Sequence, residues 1–327
     1  MHGPNTLRVR RQSALPVLVT LVTLAACHPP VNLTPPPADA PAEVVALSGA
    51  SVMIGAGDIA DCKTQLSLGT AILVDSVLRA DSVAGVNYVV FTLGDNVYRS
   101  GTASEFANCF ALGWGDTTKR IMSRLRPAPG NHEYHTPDAS AYYDYFGEAA
   151  GPAGKGYYAY DVGEWRVIVV NSEIIVSSEF GDAARKEQMD WVEMDLEDNA
   201  KPCTIAYWHN PRFSSGWHGS DARFIPLWQL LYDHGVELVL SAHDHSYERF
   251  LPMTPAGVLD TVKGITQIVV GTGGATLRGF GTIEPNSAYR IEGRTGVLLL
   301  TLGGAEYQSA FLETGGRVWD NSGGKCH

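Results

Sequence analysis

The chain has 327 residues, 45 % of them hydrophobic and 18 % charged, with a formal charge of −11 at neutral pH. That length allows one large domain or two small ones, and that composition is enough for a globular core. The acidic balance, with no basic stripe, argues against a nucleic-acid binder.

The first residues do not read as part of a fold. Arg8, Arg10 and Arg11 make a positive start, Ala14 to Ala26 is mostly apolar but short for a bilayer span, and Leu24-Ala25-Ala26-Cys27 closes the segment. Residues 1–26 are expected to be a signal peptide. The cysteine directly after the small residues resembles a bacterial lipobox, which would make Cys27 a lipidated mature N-terminus in the cell envelope. An ordinary cleaved signal would instead leave the protein periplasmic or secreted. Residues 27–48 read as a tether, because Pro29, Pro30, Pro35, Pro36, Pro37 and Pro41 favour an extended spacer. Without the three leader arginines the formal charge falls from −11 to −14. Residues 49–327 remain as the folded domain.

From Ser51 onward, apolar runs alternate with helical stretches. Val52 to Ile54 reads as a short buried strand. Gln65 to Ala80 carries Leu66, Ile72, Leu73, Val77 and Leu78 at helical spacing. Asn87 to Leu93, β-branched and aromatic, reads as a central strand. Asp182 to Asn199 reads as an amphipathic helix with Met189, Val192 and Leu196 on one face. Thr204 to Trp208 is a strand, Phe224 to His234 a helix closed by Gly235, and Val236 to Leu240 a strand. From Gly264 the chain is strand and turn, with strands at Ile265 to Val270, Val297 to Leu302 and Tyr307 to Leu312. There is no internal repeat. One α/β domain with two sheets sandwiched between helices is expected.

Metal-ligand residue types recur where these strands end. Gly-Ala-Gly-Asp58 follows the first strand, and Gly94-Asp95-Asn96-Val97-Tyr98 follows the second. Gly130-Asn131-His132-Glu133 closes a third apolar segment. His209 follows Trp208, and Ser241-Ala242-His243-Asp244-His245 follows Leu240. In an open α/β sheet, ligands bind outside the carboxyl ends of strands, so these five ends would converge on one crevice. A lone Asp after Gly is usually a turn former, and a lone His is usually a packed or surface residue. Five of the ten histidines (His132, His209, His218, His243, His245) lie in these segments, which neither bland reading explains. In His243-x-His245, alternate residues of a strand would point the same way. An acidic protein repels polyanions, so a small anionic substrate met by metal ions fits the charge best.

Four cysteines follow Cys27, an even number that predicts two disulfides in an exported chain. Three pairings are possible. Cys62 and Cys109 each follow a ligand motif at the same sheet edge and are paired here, which leaves Cys326 to clip the C-terminus to Cys203. No Cys-x-x-Cys pattern points to structural zinc.

Gly94-Asp95-Asn96-Val97-Tyr98, Gly130-Asn131-His132-Glu133, His209 and His243-x-His245 together resemble the metal motifs of the calcineurin-like metallophosphoesterases. The tyrosine three residues after Asp95 resembles the purple acid phosphatase branch, especially its short, single-domain type. The resemblance runs from about Val52 to Phe250. It implies a four-layer α/β/β/α sandwich of two mixed sheets flanked by helices. It also implies hydrolysis of phosphate monoesters by metal-activated hydroxide, with phosphodiesters or nucleotides as alternatives on the same fold. A non-catalytic anchored binding protein would be expected to have lost ligands, and all seven are present.

The resemblance further implies that Asp58, Asp95, Tyr98 and His245 hold Fe(III), a hard cation suited to carboxylates and a phenolate. A divalent ion (Fe, Zn or Mn) would take Asp95 as the bridge together with Asn131, His209 and His243. His132 and His218 would stabilise the phosphoryl oxygens and protonate the leaving group, with His218 nine residues after His209 as the family has it. The implied partner is a small phosphate ester. Neither nucleic acid nor any membrane contact beyond the lipid at Cys27 is expected. Two departures stand out. Ala242 occupies a position where Gly is usual, and Ile59-Ala60 follow Asp58 where Gly is commoner at the second place.

Other features have plainer readings. Gly271-Thr272-Gly273-Gly274 lacks the Lys-Ser/Thr of a phosphate loop and reads as a tight turn near the cleft. Arg212 and Arg249 flank motif histidines and would either grip phosphate or pair with a structural carboxylate. Trp208 and Trp217 would line a rim or pack.

Overall fold

The structure is a computed structural model that describes Met1, residues 50–80 and residues 86–327. The expected leader, Cys27 and the proline-rich tether lie outside the described residues. No helix among the described residues is long and apolar enough to cross a membrane.

The strands run β1 (Ser51–Ala56), β2 (Ala60–Asp61), β3 (Asn87–Leu93), β4 (Val97–Tyr98), β5 (Leu125–Ala128), β6 (Tyr158–Val162), β7 (Trp165–Val169) and β8 (Cys203–Tyr207). They continue with β9 (Leu238–Ser241), β10 (Tyr247–Phe250), β11 (Thr266–Val270), β12 (Ser287–Ile291), β13 (Gly296–Leu302), β14 (Glu306–Glu313) and β15 (Val318–Lys325). The α-helices are α1 (Leu66–Ala80), α2 (Ala103–Asn108), α3 (Ser140–Phe146), α4 (Ser172–Val176), α5 (Asp182–Asp198) and α6 (Ile225–Asp233).

One sheet has the order β15-β14-β13-β1-β3-β5, the other β12-β10-β11-β9-β8-β7-β6. Both are mixed. β1, β3 and β5 run parallel in the first sheet, and β7, β8, β9 and β11 in the second, with antiparallel strands toward the edges. The run Asn87–Leu93 is buried from Val89 onward, as a central strand covered on both faces requires.

The sheets face each other. Phe91 of β3 meets Tyr207 of β8, Trp165 of β7 meets Tyr307 of β14, and Tyr247 of β10 meets Phe311 of β14, with ring centroids 4.6–6.0 Å apart. On the outer face of the second sheet, Ile168, Ala206 and Val239 pack with Val192 and Leu196 of α5 and Leu227 and Leu231 of α6. Ala71 and Val74 of α1 pack into the core that holds β1 and β13. This is the expected four-layer sandwich.

Helix α5 differs from expectation in one detail. Its buried stripe is Gln188, Val192 and Leu196, while Met189 is only partly buried. Gln188 is inside because its amide clamps a strand end. Asn171 N donates to Gln188 Oε1 at 2.9 Å, and Gln188 Nε2 donates to Asn171 O at 3.1 Å.

The disulfides are Cys62–Cys109 and Cys203–Cys326, with Cα separations of 5.2 and 5.5 Å. Glu237 is buried near the second one. Its carboxylate accepts Thr204 N at 2.7 Å and His327 N at 3.4 Å. Burial pushes the carboxyl up to about 7, against the pull of those donors. The folded state therefore holds this proton more tightly than an unfolded chain does. The stabilisation it brings is full below the ordinary 4.5 and is lost as pH rises through about 7. Relative to wild type, Glu237→Gln is expected to gain about 1–3 kcal/mol between pH ~4 and pH ~8. Denaturant titrations at both pH values measure this, and a pH-independent difference would rule the shift out.

Candidate metal centre

Five strand ends meet at one edge of the two sheets. β1, β3 and β5 bring Asp58, Asp95 and Asn131 from the first sheet, while β8 and β9 bring His209 and His243 from the second. The loops are laced together by backbone hydrogen bonds. Asp58 N donates to Gly94 O at 3.1 Å, Ile59 N to Asp95 O at 2.9 Å, and Ala242 N to His209 O at 2.8 Å. Asp58, Asp95 and His243 all adopt left-handed backbone, with φ of 57°, 49° and 68°. That conformation costs about 1 kcal/mol or more for a non-glycine residue, so the surrounding contacts must hold it. His243 and His245 thus lie in a loop beyond β9, not on a strand. The left-handed turn at His243 brings the two rings to one site while Asp244 points elsewhere.

The side chains form two groups. In the first, Tyr98 OH lies 2.5 Å from Asp58 Oδ1 and 3.2 Å from His245 Nε2, and His245 Nε2 lies 3.3 Å from Asp58 Oδ1. In the second, His209 Nε2 lies 3.2 Å from Asn131 Oδ1 and 3.1 Å from His243 Nδ1. Asp95 joins them. Its Oδ2 is 3.2 Å from His209 Nε2, and its carboxylate also reaches the Tyr98 phenol. Donor atoms bonded at about 2.1 Å to a common ion sit roughly 3–3.4 Å from one another, so both groups have the spacing of a coordination shell. The ligand atoms of Asp95, His209 and His243 all fall within 4.8 Å.

The charges fit the same reading. Asp58 and Asp95 are almost wholly buried, and among the described residues their ion-pair partners are histidines alone. Buried carboxylates without Lys or Arg call for a metal or a proton. Burial, then the charges of Asp58 and Asp95, push the Tyr98 phenol well above its usual range. Burial works against a proton on His209, but Asp95 overrides it and holds the ring up to about 10. A strong Lewis acid would displace those protons and leave a phenolate beside two carboxylates.

An outer layer orients these donors. His209 Nδ1 faces Leu93 O at 2.8 Å and His245 Nδ1 faces Thr276 O at 2.6 Å, which leaves each Nε2 free to ligate. Glu133 is fully buried. Its Oε2 accepts Asp95 N at 3.0 Å and Gly130 N at 2.7 Å, and its Oε1 accepts Asn96 N at 2.8 Å and Val97 N at 3.3 Å. Burial, then the charge of Asp95, push its carboxyl up to about 8, against the pull of those N–H donors. Asp244 accepts His218 N at 2.8 Å and Ser214 Oγ at 2.5 Å, pinning the His218 loop. Gly130 has to lack a side chain, because a Cβ there would lie 2.4 Å from Asp95 Oδ1.

A sequence model of the calcineurin-like phosphoesterase family matches residues 52–247. The chain belongs to the calcineurin-like phosphoesterase family. Among curated proteins it is 25 % identical over 235 residues to human acid phosphatase type 7, covering 62 % of this chain and 51 % of that protein. It is 25 % identical over 235 residues to the probable inactive purple acid phosphatase 27 of Arabidopsis thaliana, covering 60 % and 36 %. The chain thus spans about half, or less, of the length of these relatives. It shares the fold of purple acid phosphatase PPD1 from yellow lupin seeds, with a TM-score of 0.68 and 20 % identity over 84 % of this chain and 53 % of that one.

Several candidates find plainer places in the structure. Arg249 pairs with Asp320, with Nε 2.6 Å from Oδ2, and has no part in the site. Arg212 is buried over the Phe213 ring and donates to Pro255 O at 3.3 Å. Trp208 is buried and donates its indole N–H to Asn210 O. Trp217 is 71 % exposed at the rim. The glycine turn after β11 does border the site, since Gly271 lies against Asp58 Oδ2 and Gly273 N donates to Gly57 O. His132 N donates to Asp95 Oδ1 at 2.9 Å, its ring packs on Tyr98 at 4.4 Å, and the His218 ring packs on His243 at 3.9 Å.

Sequence reasoning missed a sixth strand end, Asn171-Ser172-Glu173 after β7. Burial pushes the Glu173 carboxyl there up to about 7. It also missed Arg278, whose Nη1 lies 3.0 Å from His218 Nε2. The strand end was readable from the apolar run Val167–Val170. Nothing local marks Arg278.

Proposed function

We propose that this protein is a metal-dependent phosphoric ester hydrolase acting on phosphate monoesters at a dinuclear centre. One observation carries the reading. Two groups of donors at coordination spacing are joined through one buried carboxylate, Asp95. Asp58, Tyr98 and His245 with Asp95 form the harder, more anionic half, suited to Fe(III), and Asn131, His209 and His243 suit a divalent ion. When bound, the two ions supply positive charge for the phosphoryl oxygens and make water acidic enough to be a nucleophile.

The chain's own groups set the geometry. Arg99 O accepts the Nδ1–H of His132 at 2.5 Å, which turns the other ring nitrogen toward the site. His218 is held through its backbone by Asp244, and Arg278 donates to its Nε2, leaving the proton of the neutral ring on Nδ1. His132 and His218 thus border the centre on two sides, placed to stabilise phosphoryl oxygens and to serve the leaving alkoxide.

Rates on matched phosphomonoesters, phosphodiesters and nucleotides test the substrate class. Monoester turnover at least about tenfold faster is expected, and a reversed order would favour a diesterase. A tyrosinate–iron(III) absorption band is expected near neutral pH, and an active, colourless, iron-free protein would sink the metal assignment.

Export with a lipid on Cys27 is part of the same proposal. The positive, apolar leader and the tether support it, and the two disulfides suit an oxidising compartment. Metabolic labelling with a fatty acid tests it, and equal labelling of Cys27→Ser would refute it.

A further inference from the structure

Arg278 sits in the loop after β11, where its backbone N–H donates to His245 O at 3.0 Å. From there the side chain crosses the rim toward His218. Its Nη1 lies 3.0 Å from His218 Nε2, and its guanidinium lies over the Trp217 ring at 4.6 Å. Among the described residues no carboxylate pairs with it. Glu292 comes against the neighbouring Gly279 but not within ion-pair distance of Arg278. By contrast Arg249, Arg166, Arg223 and Arg294 all hold carboxylates.

This cation is therefore available, and it is not loose. An exposed indole beneath it and an imidazole at one nitrogen fix the plane of the fork while leaving its other N–H groups to a ligand. Trp217 exposes a large apolar ring that the core does not need, which the platform role accounts for.

Position decides what the cation would meet. The His218 ring stacks on His243, one of the candidate ligands, and Arg278 lies one side chain farther out. A phosphoryl group held by the donor set would meet His218 first. A cleft of about 300 Å³ borders His218 and His243, and its lining also includes Asn210, Ser220, Asp221 and Arg223. The organic part of an ester would extend past His218, where Arg278 stands 3.0 Å from Nε2. Arg223 within the cleft is already neutralised by Asp221 at 2.6 Å, so of these two cations it is Arg278 that has no carboxylate partner.

We propose that Arg278, braced on Trp217, forms an oxyanion subsite for the alcohol portion, so that preferred esters carry a second carboxylate or phosphate beside the scissile phosphate. This rests on the hydrolase reading above for the position of the scissile group.

The test measures binding apart from turnover. Dissociation constants of 2-phosphoglycolate, 1,2-ethanediol bisphosphate and ethyl phosphate are measured calorimetrically on the metal-loaded protein, for wild type, Arg278→Gln, Arg278→Lys and Trp217→Ala. Wild type is expected to bind the two doubly anionic esters about tenfold more tightly than ethyl phosphate, the worth of one charge-assisted hydrogen bond at a solvated rim. Arg278→Gln should bring that ratio to about one, with Arg278→Lys and Trp217→Ala in between. Preference for only one of the two doubly anionic esters identifies the second group as carboxylate or phosphate. Equal binding of all three by wild type overturns the subsite. So does a ratio that persists in Arg278→Gln while all constants rise together, because Arg278 would then only position His218. If the binding pattern holds but none of the three is hydrolysed, the subsite stands and the hydrolase reading fails.

Discussion

Asp95→Asn is expected to strip the protein of metal and of turnover together. The amide keeps the shape and still accepts His132 N through Oδ1, so the fold should survive. What goes is the charge shared between the two donor groups. Metal content should fall from two ions per chain to one at most, and kcat/KM by about 10³-fold, since charge stabilisation by such ions is worth several kcal/mol. Elemental analysis of the purified variant, alongside its kinetics, gives the answer. Two ions per chain with wild-type turnover would refute Asp95 as the link.

Glu133→Gln is expected to act through the scaffold. Four backbone N–H groups converge on the two carboxylate oxygens of Glu133. A glutamine offers one oxygen and must turn an NH2 toward two of those donors. Each buried donor left unpaired costs about 1–3 kcal/mol, so the loss is about 2–5 kcal/mol. For a domain of this size that lowers the melting temperature by roughly 5–15 °C. Metal affinity should weaken as well, because three of the four donors (Asp95, Asn96 and Val97) lie in the Asp95 loop and the fourth is Gly130, next to Asn131. A melting temperature and metal content equal to wild type would show that Glu133 does not organise these loops.

These residues also show what a sequence can and cannot disclose. Asp58, Asp95, Asn131, His209 and His243 were legible because each has a ligand's chemistry and follows a run with strand periodicity, and both properties are local. The sandwich was legible for the same reason. Glu133 stood in plain view within Gly130-Asn131-His132-Glu133, but its task of gathering N–H groups from a loop 36–38 residues away depends on the fold. Asp244 was hidden between two histidines and acts in the opposite direction. Arg278 is 60 residues from His218 and depends on how the loop after β11 folds back.

Strands β12 and β15 escaped for another reason. They are edge strands with mixed burial, and β15 contains Gly323-Gly324, so its pairing comes from β14 more than from its own pattern. Arg249 was left open between phosphate and a structural carboxylate, because nearness to His245 in sequence does not say which way a strand turns a side chain. β10 turns it to Asp320 on β15, the second of the two.

Ala242 and Gly57 touch across the site. A Cβ at position 57 would lie 2.4 Å from the Ala242 Cβ and 3.0 Å from the Leu93 Cβ, so a second methyl does not fit here while Ala stands at 242. The substitution history of the two positions is therefore ordered. Position 242 is free to exchange Ala for Gly at any time, but position 57 is locked as Gly for as long as Ala stands at 242. A lineage that acquired Ala242 closed one route of change beside its first metal-motif aspartate. In an alignment of relatives, variation at position 57 should then be found only on backgrounds with Gly at 242.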